Sequence, residues 1–353
     1  MGCRRRHDRR AGQKDRLLIL ENLPEERRPA AQTALRSAFG AAPVAALTEI
    51  KTGASALIYR IEVGGRPYLL RLDATHRDNV RDPLRSYPCM VAAAEVGIAP
   101  AVHYADAAAG VAIMDFVVGR PLATHPGGPD GLAHDLGRLA ATLQALPLFP
   151  SIGDYPSIIG GMFDEVLESK LYDDGLLAPH RAGFERIRDA YPWDDAALVS
   201  SHNDSHAGNI LFDGEKLWLI DWETAYRNDP LADIAIITMY IANTPDLQET
   251  LIRSWLGRPS DEVLRARLVL MRMLVRLFYA TANAFYVAKA RPDLRETDMA
   301  APTPAEFRAA IDNGKLISNT FETQRVGGKV AFRSFIDGLA APAFADALAI
   351  LKG

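Results

Sequence analysis

Residues 46–72 read ALTEI, ALIYRIEV and RPYLLRL, three short runs rich in β-branched and aromatic side chains. KTGAS (51–55) separates the first two, and Gly64-Gly65 separates the last two. That pattern predicts a three-stranded antiparallel meander with a tight second hairpin. The rest of the chain must accommodate a small antiparallel sheet near its N-terminal end.

Before the meander, the second part of residues 17–39 has helical spacing, with Pro29 near the start and Gly40 as a stop. After it, Asp82-Pro83 opens a helix to about Val96, kinked at Pro88 and stopped by Gly97. PAVHYAD and GVAIMDFV follow as two more strands. From about residue 130 the period becomes helical. One segment, NILFDGEKLWLID, interrupts it as a hairpin. The expected architecture is α+β with two lobes, a small β-rich lobe and a larger helical one. The expected divisions are a basic tail (1–16), a helical segment (17–40), a small lobe (41–115) and a helical lobe (116–353).

Charge and composition exclude several classes. The net charge of −4 and a pI of about 6.1 give no general attraction to nucleic acid or anionic membranes. No uncharged apolar run reaches the length of a membrane span. The start, MGCRRRHDRR, lacks the apolar region of a secretory signal, and Arg6 departs from the myristoylation pattern. Cys3 and Cys89 form no metal or disulfide pattern, so a cytoplasmic location is expected. No partner protein is evident.

The chemistry concentrates in HNDSHAGNILFDGEKLWLID, residues 202–221. His202 and His206 have the spacing of a zinc helix, but Asn203, Asp204 and Ser205 between them favour caps and turns. The better match is H-x-D-x-x-x-x-N, a phosphoryl-transfer loop. Asp204 then stands where a base would orient a substrate hydroxyl. The hairpin would bring Asn209 nearly opposite Asp221, two hard oxygen ligands suited to Mg²⁺. His202 is expected to brace the loop through Asp233.

These residues resemble the aminoglycoside phosphotransferase and choline kinase family, which has a protein-kinase-like fold. The resemblance spans about residues 46–290, and NDPLADIA is similar to bacterial choline kinases. It implies ATP or GTP bound between the lobes, with Gly53, Ala54 and Ser55 near the phosphates. It implies that Arg71 clamps phosphate and that Asp115, Phe116 and Val117 face the base. It also implies a small, cationic acceptor such as an amino alcohol, touched by Glu223, Tyr279 and Tyr286. Aminoglycoside phosphorylation and a regulatory pseudokinase are the alternatives.

Two departures stand out. Ser86 or Tyr87 occupies the position of the helix Glu that the family pairs with the strand cation. Ala280 and Asn283 replace the Trp pair of choline kinases, leaving Tyr279, Phe285 and Tyr286 to form an aromatic wall. The last 60 residues match no known pattern and are expected to cover the acceptor pocket.

Overall fold

The computed structural model describes residues 20–50, 56–73 and 82–352, apart from the side chain of Asp174. The expected tail (1–16) and Gly53, Ala54 and Ser55 lie outside the described residues.

Helix α1 (Arg28–Phe39) precedes strands β1 (Val44–Ile50), β2 (Ala56–Val63) and β3 (Arg66–Asp73). Helix α2 (Pro83–Glu95) then leads to β4 (Val102–Asp106) and β5 (Val111–Asp115). The five strands form one antiparallel sheet in the order β1-β2-β3-β5-β4. Gly64 and Gly65 both take positive φ, the twist a two-residue hairpin requires.

Strand alternation divides β3 between two environments. Leu70 and Leu72 enter a core with Leu35, Ile61, Val111 and Ile113. Leu69 and Arg71 face the other way and line the cleft between the lobes.

Helix α2 belongs to the other core. Asp82 caps it through the Leu84 N–H, and it runs through Pro88 as one element. Its Tyr87, Cys89, Met90 and Ala93 pack with Leu219, Trp222 and the helical lobe.

The larger lobe begins with α3 (Gly128–Gln144), α4 (Tyr155–Glu168) and α5 (Asp174–Ala190). Two small sheets follow, β6 (Val199–Ser201) with β9 (Tyr226–Asn228), and β7 (Ile210–Phe212) with β8 (Leu217–Leu219). Helices α6 (Leu231–Tyr240), α7 (Pro245–Leu256) and α8 (Glu262–Ala290) come next. Helix α8 is long and apolar enough to cross a membrane by length and composition, yet most of its apolar stretch is buried among other helices. The final segment forms α9 (Pro304–Asp312), α10 (Phe321–Ala340) and α11 (Pro342–Lys352). Helix α10 lies against α8, where a Cβ at Gly338 would overlap Met273 Sδ.

Candidate active site

The cleft between the lobes has a volume of about 1340 Å³. Its floor is built from one buried carboxylate. Asp233, in the first turn of α6, accepts from Ser201 Oγ (2.6 Å), His202 N (2.9 Å), Asn203 N (2.9 Å) and Ser205 Oγ (2.8 Å). These bonds satisfy backbone donors that a tight buried loop would otherwise orphan. His202 therefore meets Asp233 through its backbone. Its ring Nε2 instead lies 2.9 Å from Ile220 O, and the ring packs edge-on against Trp222.

Asn203, absent from the sequence expectations, fixes the turn. It adopts φ +63°, a conformation uncommon outside glycine. Its amide donates to Thr224 O and Tyr226 O, and its Oδ1 accepts from Asn228. That network offsets the strain and aims the next residue, Asp204, into the cleft.

Asp204 is held from two sides. Tyr279 OH donates to Oδ1 at 2.6 Å, and Asn209 Nδ2 donates to Oδ2 at 2.9 Å. Burial raises its carboxyl above the usual range, while His206 and Tyr279 pull the other way. The hairpin pairs Ile210 with Leu219, so Asn209 faces Ile220, one residue short of Asp221. Asp221 leaves the strand at φ +64°, and its side chain is 38% exposed.

Asn209 and Asp221 fit Mg²⁺ by their donor chemistry. Asn209 spends its NH₂ on Asp204, leaving Oδ1 as the ligand-type atom. Two protein oxygens suit an ion that keeps waters and phosphate oxygens in its shell. No cluster of three or more His, Cys, Asp or Glu fit for a metal occurs among the described residues.

The family model for the phosphotransferase enzyme family (APH) matches residues 46–268, well over half of the chain. The chain belongs to the phosphotransferase enzyme family. This phosphotransferase also shares its fold with solved structures. A choline/ethanolamine kinase family protein from Mesorhizobium loti is 20% identical, with a TM-score of 0.65 over 92% of this chain and 99% of that one. Choline kinase LicA from Streptococcus pneumoniae is 13% identical, with a TM-score of 0.60 over 88% and 98%. Spectinomycin phosphotransferase APH(9)-Ia, solved with ADP and spectinomycin, is 13% identical, with a TM-score of 0.51 over 90% and 98%. No curated protein sequence matches the phosphotransferase.

Arg71 of the phosphotransferase faces three carboxylates, Asp73 (2.9 Å), Asp221 (3.1 Å) and Glu223 (3.4 Å). Burial alone lowers its guanidinium pKa, but the three acids outweigh that and the net shift is upward. Tyr87, one of the two residues expected at the position of the helix Glu, donates to the second oxygen of Asp73. Asp73 thus bonds Arg71 through one oxygen and Tyr87 through the other.

At the lobe junction, Asp115, Phe116 and Val117 line the cleft mouth. The Asp115 N–H donates to Ala101 O, and its carboxylate meets His103 at 2.7 Å. Ile58, Leu69 and Met114 from the sheet and Leu211 and Ile220 from the hairpin give this end an apolar lining.

The opposite end is walled by α6, α8 and the final segment. Tyr279 and Tyr286 line it, whereas Phe285 turns to Lys289. Ala280 is buried in the core and Asn283 faces the cleft. Tyr240 joins Tyr279 edge-on at 6.1 Å. Phe307, Thr323 and Ser334 from the last 60 residues complete this wall. Sequence reasoning missed Tyr240, Arg272 and Arg276. The arginines had a visible signal, because Arg272, Arg276, Tyr279, Asn283 and Tyr286 share one helical stripe.

Proposed function

We propose that this phosphotransferase moves the γ-phosphoryl group of ATP to a hydroxyl of a small molecule. The observation that carries the reading is Asp204, held by Tyr279 and Asn209 with an oxygen directed into a cleft that also exposes Asp221.

In this reading the adenine occupies the apolar end. The Asp115 N–H is already engaged, so base recognition falls to the backbone beyond it, at Phe116 and Val117. Related structures solved with AMP and with ADP support the use of a nucleotide. Arg71 turns its fork to phosphate oxygens, and Asp73 with Tyr87 keeps it from swinging away.

Asn209 and Asp221 would hold Mg²⁺, which when bound neutralises charge on the β- and γ-phosphates. Asp204 orients the acceptor hydroxyl and takes its proton. The oxygen forms a bond to the γ-phosphorus as the bond to the β–γ bridging oxygen breaks, and ADP leaves.

The test is ADP release with Mg²⁺ and a panel of hydroxyl compounds. Asp204→Asn and Asp221→Asn should each lower acceptor-dependent release by about 10²-fold or more. Near wild-type turnover in both variants would show the mechanism to be wrong. Nucleotide binding indifferent to Mg²⁺, without turnover, would instead indicate a regulatory pseudokinase.

A further inference from the structure

The acceptor end of the cleft carries positive charge that has no acidic partner among the described residues. Arg272 and Arg276 lie on the stripe of α8 that also presents Tyr279, and all three line the cleft. At 1.5 Å per residue, Arg276 lies roughly 5 Å along the helix from Tyr279, and Arg272 roughly 10 Å. Tyr279 touches Asp204, so both guanidinium groups lie within reach of a small molecule whose hydroxyl meets that carboxylate.

Neither arginine has an acidic partner among the described residues. Arg272 Nε donates to Thr238 Oγ1 at 3.1 Å, while its Nη2 is buried without a hydrogen-bond partner. Arg276 Nη1 reaches only the weak acceptor Met273 Sδ, at 3.2 Å. Among the described residues neither forms an ion pair. Arg71, Arg267 and Arg325 each lie on a buried or half-buried carboxylate. Burial, then the neighbouring Arg276, holds the Arg272 guanidinium down to about 10, so it stays charged at neutral pH. Arg308, on α9, adds a third cation to the same end.

A half-buried cation without a counterion is costly to keep. The carboxylates of the cleft are already committed. Asp204 is held by Tyr279 and Asn209, Asp221 and Glu223 by Arg71, and Asp115 by His103. An ammonium group seated on this stripe would meet the like charges of Arg272, Arg276 and Arg308.

We infer that the acceptor carries an anionic group, a carboxylate or a phosphate ester, seated on Arg272 and Arg276 while its hydroxyl meets Asp204. This inference rests on the phosphotransfer reading above and departs from the cationic acceptor implied by the family resemblance.

Two measurements test it. The first is ADP release with glycerol, ethanolamine, choline, glycerate and glycerol phosphate. The anionic pair should give the highest kcat/KM, and the better of the two identifies carboxylate or phosphate. Arg272→Gln and Arg276→Gln should raise the acceptor KM by about tenfold or more, the loss of one charge-assisted bond, while the KM of ATP stays within about twofold. A preference for the cationic or neutral compounds, or a rise confined to the KM of ATP, overturns the inference.

The second is calorimetric titration of inorganic sulfate into enzyme saturated with Mg²⁺ and a non-hydrolysable ATP analogue. Sulfate should bind one site, and each Gln variant should weaken it about tenfold. Absence of binding, or binding unchanged in both variants, overturns the inference even if no compound in the panel is phosphorylated. If Asp204→Asn leaves ADP release intact, the phosphotransfer reading falls separately, and the sulfate titration still judges the arginines.

Discussion

Tyr279 donates its phenol hydrogen to Asp204 Oδ1 at 2.6 Å, joining the long helix of the larger lobe to the loop that carries the proposed base. The phenol favours the ionised carboxylate and opposes the upward push of burial. Tyr279→Phe removes that support, so ionisation becomes harder. The acid limb of kcat/KM should move to higher pH, by about one unit for a bond worth about 1.4 kcal/mol. A pH–rate profile measures it, and a limb that stays in place or moves to lower pH would contradict the assignment.

Asp204 also predicts opposite changes in stability and activity. Its folded-state pKa is raised, so between the unfolded and folded values the native chain holds a proton that the unfolded chain has shed. Stability therefore declines as pH rises through that window, and the whole penalty is present above it. Asn cannot ionise and still bonds both Asn209 and Tyr279 once the phenol accepts. Asp204→Asn should match or exceed the wild-type Tm at pH 8 while turnover falls by about 10²–10⁴-fold.

Asp73 and Tyr87 should act on nucleotide affinity. Asp73→Asn leaves Arg71 to Asp221 and Glu223 and removes the bond that Tyr87 backs. The KM of ATP should rise about tenfold, the worth of one charge-assisted bond, with a smaller change in kcat. Tyr87→Phe should follow in the same direction with about a third of that effect, since it removes a neutral donor. Steady-state kinetics at saturating acceptor separates the two parameters, and an unchanged KM in both variants would remove Asp73 from the clamp.

Asp233 should matter for folding above all. Both of its oxygens accept a backbone N–H and a serine hydroxyl. Asp233→Ala orphans those donors in the core and should cost about 3–5 kcal/mol. Asp233→Asn is nearly isosteric, yet its NH₂ must face one backbone N–H, so it too should lower Tm. Thermal unfolding of the Asn variant tests this directly, because a space-filling role would leave it unchanged.

The catalytic block was legible because its spacing is local. His202, Asp204 and Asn209 lie within eight residues, and a short hairpin returns the chain to Asp221. The meander was legible from strand texture and its paired glycines. The bond between Tyr87 and Asp73 was not, because the two meet only after α2 docks beside the sheet. Asn203 looked like an ordinary loop residue, since its left-handed turn is set by partners at 224, 226 and 228. The stripe on α8 was read for its aromatics. Its arginines stand out only from their three-dimensional neighbours, Thr238 and Met273, which offer no charge among the described residues.

Arg85 on α2 donates to the carbonyls of Glu223 at 2.8 Å and Ala225 at 2.7 Å, across the boundary between the lobes. Outward rotation of α2 would strip a buried guanidinium of both acceptors. The two bonds tie α2 to the segment that follows Asp221, so the position of the helix and that of the proposed metal ligand are set together.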